Sequence, residues 1–333
     1  MAKIWYDKDV SLDPIKNETI AVIGYGIQGS AQACNIRDSG LKVIVADVKG
    51  SLGWENAIKD GHTVYETPDA VAKGDIILFL VPDMLQAKVY KEQVEPNLSK
   101  GKALDFAHGA AIHWGWIKPP EWIDVIMLAP KSPGALLRET YLKNFSVPAL
   151  VAVHQDYTGR AWDRILALAK AVGCTRVGVI KTTFKEEVET DWLGEQAVLC
   201  GGVDRLIRNA FETLVDHGYQ PEVAYFECLN ELKLIVDLIY RYGITGMYRR
   251  VSETARYGGL TRGGRVVTEA ARKGAEELLK EIQSGDFAKE WVKAYEKEGT
   301  EAFEKYLREL AKHPIERVGK ELRKMMWPNE QVE

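Results

Sequence analysis

The chain has 333 residues, 28% charged and 46% hydrophobic, the balance of a folded chain long enough for two domains with separate cores. Lys and Arg number 44 against 48 Asp and Glu, and the resulting net charge of −4 carries no general attraction for nucleic acid or an anionic membrane. Apolar runs such as Ile76 to Val81 fall far short of a bilayer span, and MAKIWYDKDVSLD lacks the apolar core of a signal peptide. A cytoplasmic protein with no membrane partner is expected. Cys34, Cys174, Cys200 and Cys228 show no CxxC spacing, so they are expected to be reduced, buried thiols.

From Thr19 to about Ile180, the runs TIAVIG, KVIVAD, DIILFLV, ALDFAH, DVIMLAP and PALVAVH recur with helical stretches between them. That rhythm predicts an α/β domain over residues 1–181, a Rossmann-like, doubly wound parallel sheet with helices on both faces. After Lys181 the strand-like runs stop. Residues 182–327 predict an all-α C-terminal domain, with 328–333 as a tail. Within FECLNELKLIVDLIY, the spacing of Leu229, Leu232, Ile235, Val236 and Ile239 predicts a buried helical stripe.

The first turn, GYGIQG, follows the strand TIAVI directly and precedes a plausible helix. Gly24 permits the tight turn, Gly26 lets backbone approach a pyrophosphate, and Gly29 allows close helix packing. Tyr25, Ile27 and Gln28 complete the turn, and the helix N-terminus receives the anion. KVIVAD ends at Asp47, where a carboxylate accepts hydrogen bonds from the adenosine ribose and repels a 2′-phosphate. NADH is therefore favoured, with NADPH possible because Lys49 and Ser51 can still hold a phosphate.

Asp191 and Glu195 stand four apart in one helical segment, and Glu227 and Glu231 in another, so each pair projects from one helix face. Such pairs are often a solvated surface. The second pair, however, lies in a strongly apolar helix where burial of unpaired charge is costly, which points to a cation. An all-oxygen donor set favours Mg²⁺ or Mn²⁺ over zinc. His108 follows the strand ALDFA at the carboxyl edge where such sheets bind ligands, and Lys131 follows VIML in APKSPG. Ser252, in RRVSETA, reads as a helix cap.

GYGIQG, DFAHGAAIHWG, VIMLAPKSPG, TDWLGEQAVLCGG, FECLNELKLIVDLIY and YRRVSETARYG, in this order over nearly the whole chain, resemble ketol-acid reductoisomerase of the short, class I form. The resemblance implies conversion of 2-acetolactate or 2-aceto-2-hydroxybutyrate, small 2-hydroxy-3-keto acids, into 2,3-dihydroxy acids. An alkyl shift dependent on two Mg²⁺ precedes hydride transfer, and the pathway is branched-chain amino-acid synthesis. It further implies that Asp191 bridges both ions and Glu195 binds one, with Glu227 and Glu231 supplied by a partner subunit. The enzyme would then be at least a homodimer, possibly a larger homo-oligomer. Ser252 would hold the substrate carboxylate, while His108, Lys131 and Glu231 would serve catalysis. Asp83, Met84, Leu85, Gln86 and Gly134 match the family's remaining cofactor contacts. The chain departs from the pattern after the second strand: where NADPH-using members carry an Arg followed by two serines, it has Val48, Ser51 and Gly53, with Asp47 added. The other reading is a metal-independent dehydrogenase of the 3-hydroxyacid or 6-phosphogluconate type, which has the same domain order and would not respond to a chelator.

Overall fold

The computed structural model describes residues 2–328. The chain divides into two compact units, one ending at Thr190 and the other beginning at Asp191. The first unit holds nine strands: β1 (Ile4–Trp5), β2 (Thr19–Ile23), β3 (Lys42–Ala46), β4 (Val64–Tyr65), β5 (Ile76–Phe79), β6 (Ala103–Phe106), β7 (Asp124–Pro130), β8 (Ala149–Gln155) and β9 (Val179–Lys181). They form one sheet in the order β1-β9-β8-β7-β6-β5-β2-β3-β4. Its helices are α1 (Ile27–Asp38), α2 (Leu52–Lys59), α3 (Thr67–Lys73), α4 (Asp83–Val89), α5 (Ala110–His113), α6 (Gly134–Leu142) and α7 (Ala161–Val172), and α8 (Phe184–Gly194) carries the chain across the boundary.

The sheet is doubly wound but not wholly parallel as expected: β7 pairs antiparallel with β8, and β1 with β9. The first exception follows from where α6 docks. α6 stays at the carboxyl edge of the sheet, where Gln28 Nε2 donates to the Ser132 carbonyl at 2.9 Å and the Gly134 backbone lies against the Ile27 carbonyl. The chain therefore re-enters the sheet from the edge it left, with Ala149 opposite Pro130. β1, the edge strand, and β9 beside it are short, with no repeating pattern in sequence.

Alternate residues of the central strands serve two cores, as a sheet covered on both faces requires. Ile20, Val22 and Leu78 pack with Ala33 and Ile36 of α1 and Ile165 and Leu168 of α7. Ala21, Ile23, Phe79, Leu104 and Phe106 pack with Val71 of α3, Ile112 of α5 and Phe184 of α8. One core position breaks the pattern. Asp105, between Leu78 and Ile126 on the ladder, is fully buried, and neither carboxyl oxygen meets a hydrogen-bond partner in good geometry. Burial pushes its acid well above the usual carboxylate range. A raised folded-state value means that its contribution is complete at acid pH and is lost as pH rises through that value. Asp105→Val is thus expected to raise the melting temperature near neutral pH, by about 2 kcal/mol of stability, with the gap closing at low pH. Thermal melts across pH test this; equal melting at every pH would mean that the carboxyl is satisfied.

The second unit is helical: α9 (Gly201–Asp216), α10 (Pro221–Tyr225), α11 (Glu231–Tyr248), α12 (Glu253–Val266), α13 (Glu269–Ser284), α14 (Asp286–Glu298), α15 (Glu301–Leu310) and α16 (Pro314–Met326). Phe211, Ala224, Tyr225, Ile315 and Leu322 form its compact core from α9, α10 and α16. The expected stripe is only partly covered: Leu229, Leu232, Ile235 and Ile239 are half-buried, Leu229 against the compact core, while Val236 is 50% exposed. Leu234, Tyr240 and Ile244, outside the stripe, also reach solvent, because the compact core lies under α10 and α16. The cysteines also divide: Cys34 and Cys174 are buried, but Cys228 is half-buried and Cys200, in the turn before α9, is exposed. Among the described residues no helix is long and apolar enough to cross a membrane.

Candidate active site

A cleft of about 1000 Å³ opens at the carboxyl ends of β2, β3 and β5, the edge where doubly wound sheets bind ligands. Gly24 turns the chain out of β2 with φ +95°, and a Cβ there would lie 2.8 Å from the Leu80 carbonyl oxygen. Gly26 precedes α1 and has open space where a side chain would be, as close approach by a ligand requires. A Cβ at Gly29 would fall on the Gly24 carbonyl, so only glycine lets α1 start this close to β2. No side chain caps α1, so its first N–H groups remain available to an anion in the cleft. Tyr25, Ile27, Gln28, Asp47, Val48, Ser51, Gly53 and Leu85 line the same cleft. Apolar atoms of Leu80, Val81, Pro82 and Val89 complete a wall suited to a flat ring.

Asp47 is already engaged. Its oxygens accept from the N–H groups of Tyr25 and Val48, each at 2.7 Å, and from the Ser51 hydroxyl at 2.8 Å. Gln86 is buried and donates to the Val81 carbonyl and to Asp83, which makes both residues supports of the turn into α4. Met84 is half-buried beside them and Lys49 is exposed. The lining of the cleft includes none of these four residues; Gly134 instead lines a smaller neighbouring cavity.

The second cluster centres on a residue that the sequence reading passed over, Glu187 of α8. Its side chain is 1% exposed, and three donors converge on it: His108 Nδ1 at 2.9 Å, the Gly109 N–H at 2.9 Å and Lys131 Nζ at 2.6 Å. Burial alone would raise this acid, yet His108 and Lys131 outweigh it and hold the carboxyl at about 2. Its ionised form therefore contributes stability fully above the ordinary glutamate value, and that contribution is lost only as pH falls toward 2. Gly109 makes the approach possible, since a Cβ there would run into the Phe184 backbone at the start of α8. His108 and Lys131, at the ends of β6 and β7, are thus brought to one carboxylate.

α8 then continues the acidic ladder. A carboxylate oxygen of Asp191 lies within 4.8 Å of one on Glu187, one helical turn earlier. Glu195 follows one turn later and opens a wide π-type turn, Glu195–Leu199. A second π-type turn, Phe226–Asn230, contains Glu227 and ends at Glu231. Such turns add a residue to a helix and are frequent at functional sites. Glu227 and Glu231 are exposed, not buried in an apolar helix as expected, because they share α11's uncovered surroundings. Ser252 caps α12, its hydroxyl accepting from the Ala255 N–H at 3.1 Å. The missed Glu187 had a signal in sequence: extending the four-residue spacing of Asp191 and Glu195 one step back reaches it.

A pyrophosphate-type cleft at the carboxyl edge of a doubly wound sheet, with His108 and Lys131 held on a buried carboxylate at the ends of neighbouring strands, defines a dinucleotide-dependent oxidoreductase. Residues 14–178 match the family model described as acetohydroxy acid isomeroreductase, NADPH-binding domain, and residues 184–327 match ketol-acid reductoisomerase, C-terminal domain. The ketol-acid reductoisomerase (NADP(+)) of Nitrosopumilus maritimus is 60% identical over 99% of both chains, and that of Methanocaldococcus jannaschii is 58% identical over 98% of both. A solved NADH-preferring ketol-acid reductoisomerase from an uncultured archaeon superimposes with a TM-score of 0.94 at 43% identity, covering 97% of this chain and 98% of its own. The chain belongs to the ketol-acid reductoisomerase family. Its activity is that of the family, and the metal-independent dehydrogenase reading is not favoured.

Proposed function

We propose that this reductoisomerase converts 2-acetolactate and 2-aceto-2-hydroxybutyrate with two Mg²⁺ and, by preference, NADH, in a homodimer whose sites are shared between subunits. The observation that carries the reading is the Glu187 hub, which unites His108 and Lys131 at the foot of the Asp191–Glu195 ladder.

The residues present fit both absent groups. The carboxylates of Asp191, on α8, and Glu195, just beyond it, suit a hard divalent cation, with His108 and Glu187 clustered beside Asp191, and the side-chain-free approach at Gly26 suits a pyrophosphate. Asp191 and Glu195 would hold the ions. Glu227 and Glu231 of a second copy would complete the set. The exposed apolar face of α11 supports such a contact, since a patch of this kind on one chain calls for a partner. When bound, the ions supply Lewis acidity that polarises the substrate's oxygens.

The chain's own groups do the rest. With Glu187 accepting from Nδ1, the orientation of the His108 ring is fixed, and the role proposed for it is to receive the proton of the substrate 2-hydroxyl. Lys131 places positive charge where a neighbouring oxygen gains negative charge as the alkyl group migrates. Glu231 would assist proton movement from the partner's side, and Ser252, as cap of α12, would hold the substrate carboxylate. Asp47, with a negative charge at the ribose position, supports NADH; the relatives differ, those of Nitrosopumilus maritimus and Methanocaldococcus jannaschii being NADP(+) enzymes and the solved archaeal enzyme NADH-preferring.

The test is oxidation of reduced nicotinamide with racemic 2-acetolactate, comparing NADH with NADPH, each with Mg²⁺ and with chelator. Activity that needs Mg²⁺ and is greater with NADH is expected. Activity that persists undiminished in chelator would remove the metal reading, and greater turnover with NADPH would remove the cofactor preference.

A further inference from the structure

The loop between β7 and α6 consists of Lys131, Ser132 and Pro133, and it carries the lysine of the Glu187 hub. The Lys131 N–H donates to the Pro148 carbonyl at 2.9 Å, just before β8. Two further anchors come from the dinucleotide turn. Gln28 Nε2 donates to the Ser132 carbonyl at 2.9 Å, and Gly134 lies so close to the Ile27 carbonyl that there is no room for a Cβ. A carbonyl can only accept, so the amide nitrogen of Gln28 is the end that faces Ser132, and its Oε1 is left to accept from Gln32 Nε2 at 3.3 Å. Gln32 is fully buried, and its own Oε1 meets no hydrogen-bond partner among the described residues. An amide oxygen buried in that way is costly. Packing does not explain it, since an apolar side chain would fill the place without that cost; orienting Gln28 does.

Gln28 is also the second residue of α1, whose first N–H groups stay available to an anion. One residue thus serves the cleft with its backbone and the Lys131 loop with its side chain. We propose that Gln28 is a positioning residue for Lys131, holding the Ser132 carbonyl so that the ammonium beside Glu187 stays where charge develops as the alkyl group migrates. The inference rests on the role proposed above for Lys131. Its consequence is that the Gln28 side chain matters to the rearrangement more than to cofactor binding, and only while Lys131 is present.

The experiment compares wild type, Q28M, K131M and Q28M/K131M, with a thermal melt of every variant. Q28M keeps the length of the side chain and loses its donor. Turnover of 2-acetolactate is measured beside reduction of the rearranged 3-hydroxy-2-keto acid supplied directly, both at saturating NADH and Mg²⁺, and NADH binding is read by nicotinamide fluorescence. Q28M is expected to lower kcat for 2-acetolactate by about 30-fold, in the range for a displaced reacting group. Its loss in reduction of the rearranged acid should be about fivefold smaller or less, and the dissociation constant for NADH should change less than about threefold. K131M should lower the 2-acetolactate rate by about 100-fold or more, and adding Q28M to it should change the remaining rate less than about twofold. The proposal is overturned, with the reading of Lys131 intact, by a Q28M kcat within threefold of wild type, by the same Q28M effect in both backgrounds, by equal losses in the two reactions, or by a loss confined to NADH affinity. K131M turnover within threefold of wild type removes that reading and the proposal with it. If Q28M fails to fold, Q32M, which leaves Gln28 in place but frees its amide to turn, decides by the same comparisons, with an expected loss of about fivefold.

Discussion

Glu187→Gln is expected to lower kcat by about three orders of magnitude while leaving the dissociation constant for NADH nearly unchanged. The carboxylate accepts from three donors at once, and an amide in its place would present its own N–H to at least one of them. His108 would lose the partner that fixes its tautomer, and Lys131 the anion that anchors its ammonium. Losses of 10²–10⁴ are usual when a positioned proton-transfer group is disabled. The dinucleotide cleft is spared because Glu187 is not part of its wall. Glu187→Asp keeps the charge one methylene short and should recover part of the rate. Steady-state kinetics and cofactor titration together check this; activity within tenfold of wild type would show that the hub is dispensable.

The second large effect concerns sites shared between two chains. Glu195→Gln and Glu231→Gln are each expected to abolish turnover as pure proteins, yet activity should return when the two are unfolded together, mixed and refolded. If one site takes Glu195 from one chain and Glu231 from the other, a mixed dimer has one site with both defects and one with neither. Random pairing makes half the dimers mixed, so recovery of about one quarter of wild-type activity is expected. A site built within a single chain would give none. The uncovered apolar residues of α11, among them Tyr240 at 83% exposed, are the physical reason to expect pairing along this helix.

The sheet was largely legible because its central strands are buried on both faces and therefore read as unbroken apolar runs, as in TIAVI and DIILF. β1, β4 and β9, two or three residues each at or near the sheet edges, carry no such signal. The antiparallel pairing of β8 was hidden for a different reason. It depends on where α6 docks, and that is decided by the close fit of Gly134 to Ile27, a contact between residues about a hundred positions apart. In the site, glycine spacing pointed to the cleft, while the engagement of Asp47 by its own loop became visible only with the Gly53 backbone in place. Glu187 shows the limit most clearly. Its spacing was available, but its importance comes from convergence of β6, β7 and α8, which no local pattern encodes. The burial expected for the stripe is only partial within one chain, because an apolar stripe in sequence says that a helix face needs cover without saying which chain provides it.

The wide turns at Glu195–Leu199 and Phe226–Asn230 each amount to one amino acid inserted into an otherwise regular helix. Successive helical residues are offset by about 100°, so a single insertion rotates everything downstream by that angle. Gly201 and Gly202 bear the trace of this rotation, since a Cβ on either would strike the carbonyl of Gln196 or Ala197 within the turn. Residues on either side of such a turn are thereby released from a common stripe. One continuous helix can aim its acids in one direction and its apolar contacts in another, and a single-residue deletion there would force the two tasks back onto the same face.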